Sequence, residues 1–230
     1  MFWDPRYFLF ALPALLLAVY AQWKVRSTYQ QYLRVPNASG ATGLQVAQAL
    51  QRVTGLSLRI EGTEGQLSDH YDPRNNILRL SRGVANSASV GAAAIVAHEF
   101  GHALQDAQAF ALLRLRSGLV PVVNFTSWLG PILFAVGLLF GSQPLATVGV
   151  FFFGGAVVFA LLTLPVELDA SRRAIRLLQD AGVVADRQGI KQARSVLSAA
   201  ALTYVAALAQ AVSTMLYYLF ILGGRGRRRR

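Results

Sequence analysis

The sequence predicts a mainly α-helical integral membrane protein with about four transmembrane helices and one small α+β region. Three observations carry this. Hydrophobic residues fill 54% of the 230 positions and charged residues only 14%, where a soluble domain carries roughly a quarter charged. Four apolar stretches are long enough to cross a bilayer. The one long polar stretch, 24–117, mixes helical and alternating apolar patterns.

The first span, within 1–23, runs from Tyr7 to about Trp23, with Trp3, Tyr7, Tyr20 and Trp23 as aromatic interface anchors. A cleaved signal peptide is the rival reading, because Val19-Tyr20-Ala21 loosely meets the small-residue rule, although Asp4 beside Arg6 makes a poor basic start. In 24–117, the spacing of Leu44, Val46, Ala47, Leu50 and Val53 predicts a helix over 42–53 that Gly55 ends. Leu56-Ser57-Leu58-Arg59-Ile60 alternates as a strand. Residues 66–71 and 77–81 flank the turn-rich Asp72-Pro73-Arg74-Asn75-Asn76, which predicts a β-hairpin. Asn86, Ser87 and Ser89 offer N-caps for a buried helix over about 89–113. The next two spans, about 118–140 and 145–164, are separated only by Gly141-Ser142-Gln143-Pro144 and form a tight transmembrane hairpin over 118–165. Pro121, Asn124 and Pro131 interrupt the first of them, to kink it, to line a polar cavity, or as exceptions tolerated by packing. A charged helical segment follows over 166–195, then a fourth span over 196–222 and a polybasic tail over 223–230.

Cysteine is absent. This excludes a disulfide framework, a thiolate nucleophile and a cysteine metal site, so any metal is held by histidine and carboxylates. The net charge of +11 owes much to Arg225-Gly226-Arg227-Arg228-Arg229-Arg230. On so apolar a chain that tail suits anionic lipid head groups, or serves topology alone, and no nucleic-acid function is expected.

The most informative stretch is His98-Glu99-Phe100-Gly101-His102. On a helix, positions i and i+4 lie on one face, which gives two imidazoles the geometry for Zn²⁺. Glu99, one step round, is placed as general base toward a metal-activated water. The motif uses two of only three histidines in the chain. A catalytic zinc site needs a third protein ligand and leaves the fourth place to water. The candidates are His70, Glu167 and Asp169. Glu167 is favoured: the hairpin of spans brings the chain back to the side it left, and a carboxylate beside so apolar a segment needs a cation. An ion pair with Arg172 or Arg173 is the plainer alternative. Asp169 faces differently, either orienting an imidazole N–H in a second layer around the metal or pairing with Arg173. His70, on the first hairpin strand, is either an oxyanion stabiliser or a strand histidine bonded to Asp72. The hairpin itself offers an edge to an extended peptide substrate.

Gly-His-Ala-Leu-Gln-Asp (101–106), Asp-His-Tyr-Asp-Pro (69–73) and Pro-Val-Glu-Leu-Asp-Ala-Ser (165–171) together resemble the YugP-type bacterial membrane zinc metallopeptidases. The resemblance covers nearly the whole chain. More distantly the chain is similar to the HtpX and CAAX prenyl protease group of membrane gluzincins, whose third ligand is a Glu opening a Glu-x-x-x-Ala-Asp segment after a transmembrane hairpin. The resemblance implies a zincin-like catalytic region, Zn²⁺ as cofactor, Glu167 as third ligand, and a multi-pass place in the bacterial inner or plasma membrane. Ser171 stands where the distant group has Asp, with Asp169 as a possible substitute for that carboxylate. The resulting expectation is a membrane-embedded zinc endopeptidase acting on a peptide or membrane protein. The rival is a non-catalytic scaffold whose structural metal is closed by His98, His102, Glu167 and His70. A transporter is disfavoured because the ionisable residues cluster outside the spans. Lys24, Arg26, Arg34, Arg114, Arg116 and the basic residues of 172–194 favour a cytoplasmic catalytic side, and the arginine tail argues the other way.

Overall fold

A computed structural model describes residues 5–227 and the side chains of 7–224. Trp3, Asp4 and the side chains of Arg6 and of the arginine tail lie outside the described residues. Within them the elements run α1 (Pro5–Tyr32), α2 (Gly43–Thr54), β1 (Arg59–Thr63), β2 (His70–Asp72), β3 (Ile77–Ser81), α3 (Arg82–Ala85), α4 (Val90–Ala107), α5 (Ala111–Leu139), α6 (Gln143–Asp180) and α7 (Arg187–Arg227). Among the described residues, four helical segments are long and apolar enough to cross a membrane: Tyr7–Tyr32, Ala111–Leu139, Gln143–Asp180 and Arg187–Gly224. The chain divides into two compact units. One is Met1–Ala21, Arg114–Leu164 and Thr203–Arg230; the other is Gln22–Leu113 and Pro165–Leu202.

The first unit is helical in its described residues except for the turn at 140–142, and it exposes large apolar side chains such as Leu9, Trp128 and Phe151, the surface expected of helices solvated by lipid. Glycines let α5 and α6 approach closely: a Cβ at Gly137 would collide with the Ala146 backbone, and one at Gly149 with the Phe134 backbone. Phe134 is fully buried and stacks on Tyr218 at 4.0 Å between ring centroids. Asn124 is exposed on α5, and the helix continues through Pro121 and Pro131.

The second unit holds the sheet and most of the chain's polar residues. Thr42 and Gln45 form a reciprocal capping box at the start of α2, and Gly55 ends it with φ 70°. Val46, Ala47 and Leu50 of α2 pack with Ala92, Ala93, Val96 and Phe100 of α4 in one core. Of the three candidate N-caps for α4, Ser89 serves, its hydroxyl accepting from Ala92 N. The sheet has order β1-β3-β2, with β1 parallel and β2 antiparallel to β3. Ile77, Leu78 and Leu80 make β3 its buried centre.

Several boundaries differ from the sequence reading. Residues 66–69 are not strand: Gly65 (φ 92°) and Leu67 (φ 58°) turn the chain, so only His70–Asp72 pairs with β3. Pairing of β1 begins at Arg59 rather than Leu56, because its partner is Ile77. The helix expected to reach 113 stops at Ala107: Ala109 takes φ 57° and Phe110 N–H reaches back to Gln105 O, a Schellman-type closure made without glycine. The third span and the charged segment after it are one helix, α6, which passes through Pro165. The fourth span is likewise the later part of the long α7.

One close approach positions the site. A Cβ on Gly101 of α4 would lie 2.5 Å from Ala170 O of α6, so the two backbones touch where the Cβ is missing. On α6 the buried positions Glu167, Ala170, Ala174 and Leu178 form the face turned inward. We therefore expect Gly101→Ala to destabilise this unit by about 1–3 kcal/mol. Denaturant unfolding of the detergent-solubilised chain, followed by circular dichroism, measures this. An unchanged midpoint would contradict the contact.

Candidate metal centre

His98 and His102 leave α4 from the same face, one turn apart, with ring centroids 4.8 Å apart. Glu167 meets them from α6. Its Oε2 lies 3.3 Å from Nε2 of His98 and 3.3 Å from Nε2 of His102. One ligand atom from each of the three residues falls within 4.8 Å of the others. The imidazoles are 14% exposed and the carboxylate 3%, so the charge of Glu167 sits where water barely reaches. Both rings turn Nε2 toward Glu167 and Nδ1 away from it. His98 Nδ1 lies 3.3 Å from Ser171 Oγ on α6. His102 Nδ1 lies 3.0 Å from Gln105 Oε1 on its own helix.

Glu99 points to the sheet. The backbone N–H of Tyr71 in β2 donates to its Oε2 at 2.9 Å. Burial pushes the Glu99 carboxyl above the usual range, against the pull of the two imidazoles and of that N–H. For His102, burial alone favours the neutral ring, but Glu167 and Glu99 beside it outweigh that and raise its pKa.

The Asp69–Pro73 segment places β2. Asp69 accepts from Ser81 N (2.7 Å) and Ser81 Oγ (3.2 Å) at one end of the strand. At the other end, Asp72 closes the turn by accepting from Arg74 N and Asn75 Nδ2 and pairs with Arg79. Between them, the Tyr71 hydroxyl donates to Asp106 Oδ2 of α4 at 3.0 Å. Burial, and then the Asp106 carboxylate, raise the phenol pKa and keep it a donor.

The sequence candidates separate in space. His98, His102 and Glu167 come together. Asp169 stands behind them, accepting from Gln105 Nε2 (2.9 Å) and Arg173 Nε (2.5 Å). Thus it reaches His102 only through Gln105, and its pairing with Arg173 is also present. His70 is exposed, on the sheet face opposite Tyr71. Its Nδ1 lies 2.8 Å from Ser68 O and its Nε2 3.3 Å from Arg79 Nη1, and it stands outside the three-residue group. Arg79, not His70, holds Asp72. Sequence reasoning missed Tyr71 and Gln105 and noticed Ser171 only as a departure from a pattern. Gln105 carried a usable signal, a polar residue one turn beyond His102 on a helix whose other inward positions are apolar.

The family model described as "Putative neutral zinc metallopeptidase" matches residues 7–223. The chain is similar to the "Putative membrane protease YugP" of Bacillus subtilis (strain 168), at 41% identity over 218 residues, which cover 93% of this chain and 96% of that protein. No solved structure matches it. The donor set fits the metal that the family description names. Two imidazole nitrogens, each with a further contact at Nδ1, and one carboxylate oxygen, all carried on helices, form a donor set of the type catalytic zinc takes.

The strand that holds Glu99 has its own pH dependence. The Asp72 carboxyl is held down at about 2, first by Asn75 and then by Arg79 and Arg74 N–H, despite some burial. A carboxyl depressed in the folded state stabilises it above the ordinary pKa of about 4 and loses that contribution as the pH falls toward about 2. The denaturation midpoint should therefore fall between about pH 5 and about pH 2.5, and fall less in Asp72→Asn. Equal losses in both proteins would contradict the assignment.

Proposed function

Because the chain belongs to the family described as "Putative neutral zinc metallopeptidase", we propose that it is an integral membrane zinc endopeptidase with His98, His102 and Glu167 as ligands and Glu99 as general base. The observation that carries this reading is the convergence of those three ligand atoms within 4.8 Å, one residue from the half-buried Glu99. Three protein ligands, rather than four, also favour catalysis over a structural metal. The exposed His70 does not join them, which weighs against the closed scaffold site, and it has no part in this mechanism.

When bound, zinc acts as a Lewis acid, polarising a peptide carbonyl and acidifying water from a pKa of 15.7 toward about 7. The protein's own groups do the rest. His98 and His102 present Nε2 to the ion, and Glu167 brings a negative charge that would be costly there without a cation. Tyr71 N–H occupies Oε2 of Glu99 and leaves Oε1 for proton transfer. That oxygen accepts the proton of the attacking water and returns it to the leaving amine nitrogen. The raised affinity of Glu99 for a proton suits both steps.

The substrate is an extended peptide or membrane protein segment beside β2, which is an edge strand. The contact of β2 with α4, through Tyr71 N–H and Glu99, supports this placement. The apolar spans support an integral place in a bacterial inner or plasma membrane, with the polybasic tail near anionic lipids. The basic flanks at Lys24, Arg26, Arg34, Arg114 and Arg116 favour a cytoplasmic active side.

Glu99→Gln should retain about one zinc per chain, by the ligand set, and lose at least roughly 10²-fold in peptide hydrolysis. Metal analysis of the purified chain, with proteomic comparison of membranes carrying wild type or Glu99→Gln, measures both. Full cleavage by the variant would sink the mechanism. Glu167→Ala should lose the zinc; unchanged metal content would move the third ligand elsewhere.

A further inference from the structure

Gln105 is fully buried, and its amide is used at both ends. Oε1 faces His102 Nδ1 at 3.0 Å. Nε2 donates to Val166 O at 2.8 Å and to Asp169 Oδ2 at 2.9 Å. A primary amide has two N–H donors and both are spent on oxygens, so the amide cannot turn round without facing its oxygen to two acceptors. Oε1 is therefore fixed toward the ring, and it can only receive. The proton of a neutral His102 then belongs on Nδ1, which leaves the Nε2 lone pair facing Glu167. The same side chain grips α6 at Val166 and Asp169, on either side of Glu167.

We propose that Gln105 is the positioning residue of the metal centre: it presets the tautomer of His102 and ties the histidine helix to the glutamate helix at the third ligand. This rests on the zinc-ligand reading above. Its effect differs between the two forms of the protein. Without zinc, a chain that lacks Gln105 can carry the His102 proton on Nε2, 3.3 Å from Glu167 Oε2, so losing the acceptor at Nδ1 costs little there. With zinc on Nε2, the proton must sit on Nδ1, in a buried place where Gln105 supplies the acceptor. Removing that acceptor therefore falls on the zinc-bound form. Val166 O retains its place in a helix and Asp169 retains Arg173, so the fold does not depend on the amide alone.

The test uses the full chain in detergent, zinc titrated against a chelator of known affinity, and thermal unfolding with and without zinc. Gln105→Met keeps the length and removes the hydrogen bonds. It should weaken zinc binding roughly 10–100-fold, while the unfolding temperature in chelator moves much less than that in zinc. Gln105→Glu keeps the length and an acceptor for His102 and, with its carboxyl protonated beside Asp169, keeps a donor to α6. It should recover most of the lost affinity, and it decides the matter if Gln105→Met fails to fold. Wild-type zinc affinity in Gln105→Met, equal thermal losses with and without zinc, or no recovery in a folded Gln105→Glu each overturn the proposal. Failure of the wild type to bind zinc, or wild-type affinity in Glu167→Ala, removes the ligand reading itself and the inference with it.

Discussion

A carboxylate that is 3% exposed must find positive charge or dense hydrogen bonding, and Glu167 is that carboxylate. The second unit is arranged around meeting this requirement. Two imidazoles stand 3.3 Å from one of its oxygens. They reach it because Gly101, between them in sequence, lets α4 lie against the α6 backbone at Ala170. The glycine of the motif is thus as much a part of the centre as the histidines. It sets the distance that the ligands then span.

Each proposed ligand or base is held by a different kind of structure. His102 is held by a side chain of its own helix, His98 faces a hydroxyl from the opposite helix, and Glu99 is held by a strand backbone. Arg173 links the layers, binding Asp169 and Gln108 and lying over the Phe110 ring at 5.7 Å. It fastens α6 to the end of α4 where that helix stops. The charged side chains behind the centre therefore join the same two helices that carry the proposed ligands.

Much of this was legible in the sequence, for physical reasons that differ by residue. His98, Glu99 and His102 follow from helical periodicity alone. Glu167 followed from chain reversal together with the cost of a carboxylate beside an apolar segment. Apolar spacing and Gly55 announced α2, whose start the structure closes with the Thr42–Gln45 capping box. What stayed hidden had no local signal. Ala109 adopts a conformation that glycine usually marks, inside an apolar run that hides the break. Pro165 reads as a helix boundary, but α6 continues through it. The parallel pairing of β1 with β3 joins segments that the sequence presents as separate. Ser171 acquires meaning only when α6 is laid beside α4.

The contact between Tyr71 and Glu99 also bears on how the sheet avoids unwanted partners. In an antiparallel pair, the N–H and C=O of one residue point the same way, so Tyr71 turns both away from β3, toward the outer edge. An exposed sheet edge invites promiscuous strand addition and aggregation. Here the strand is three residues long and its outward donor is already satisfied by a side chain. What is left is a single carbonyl beside the carboxylate, one point of attachment for a substrate backbone and too little to template a ladder with a stray chain.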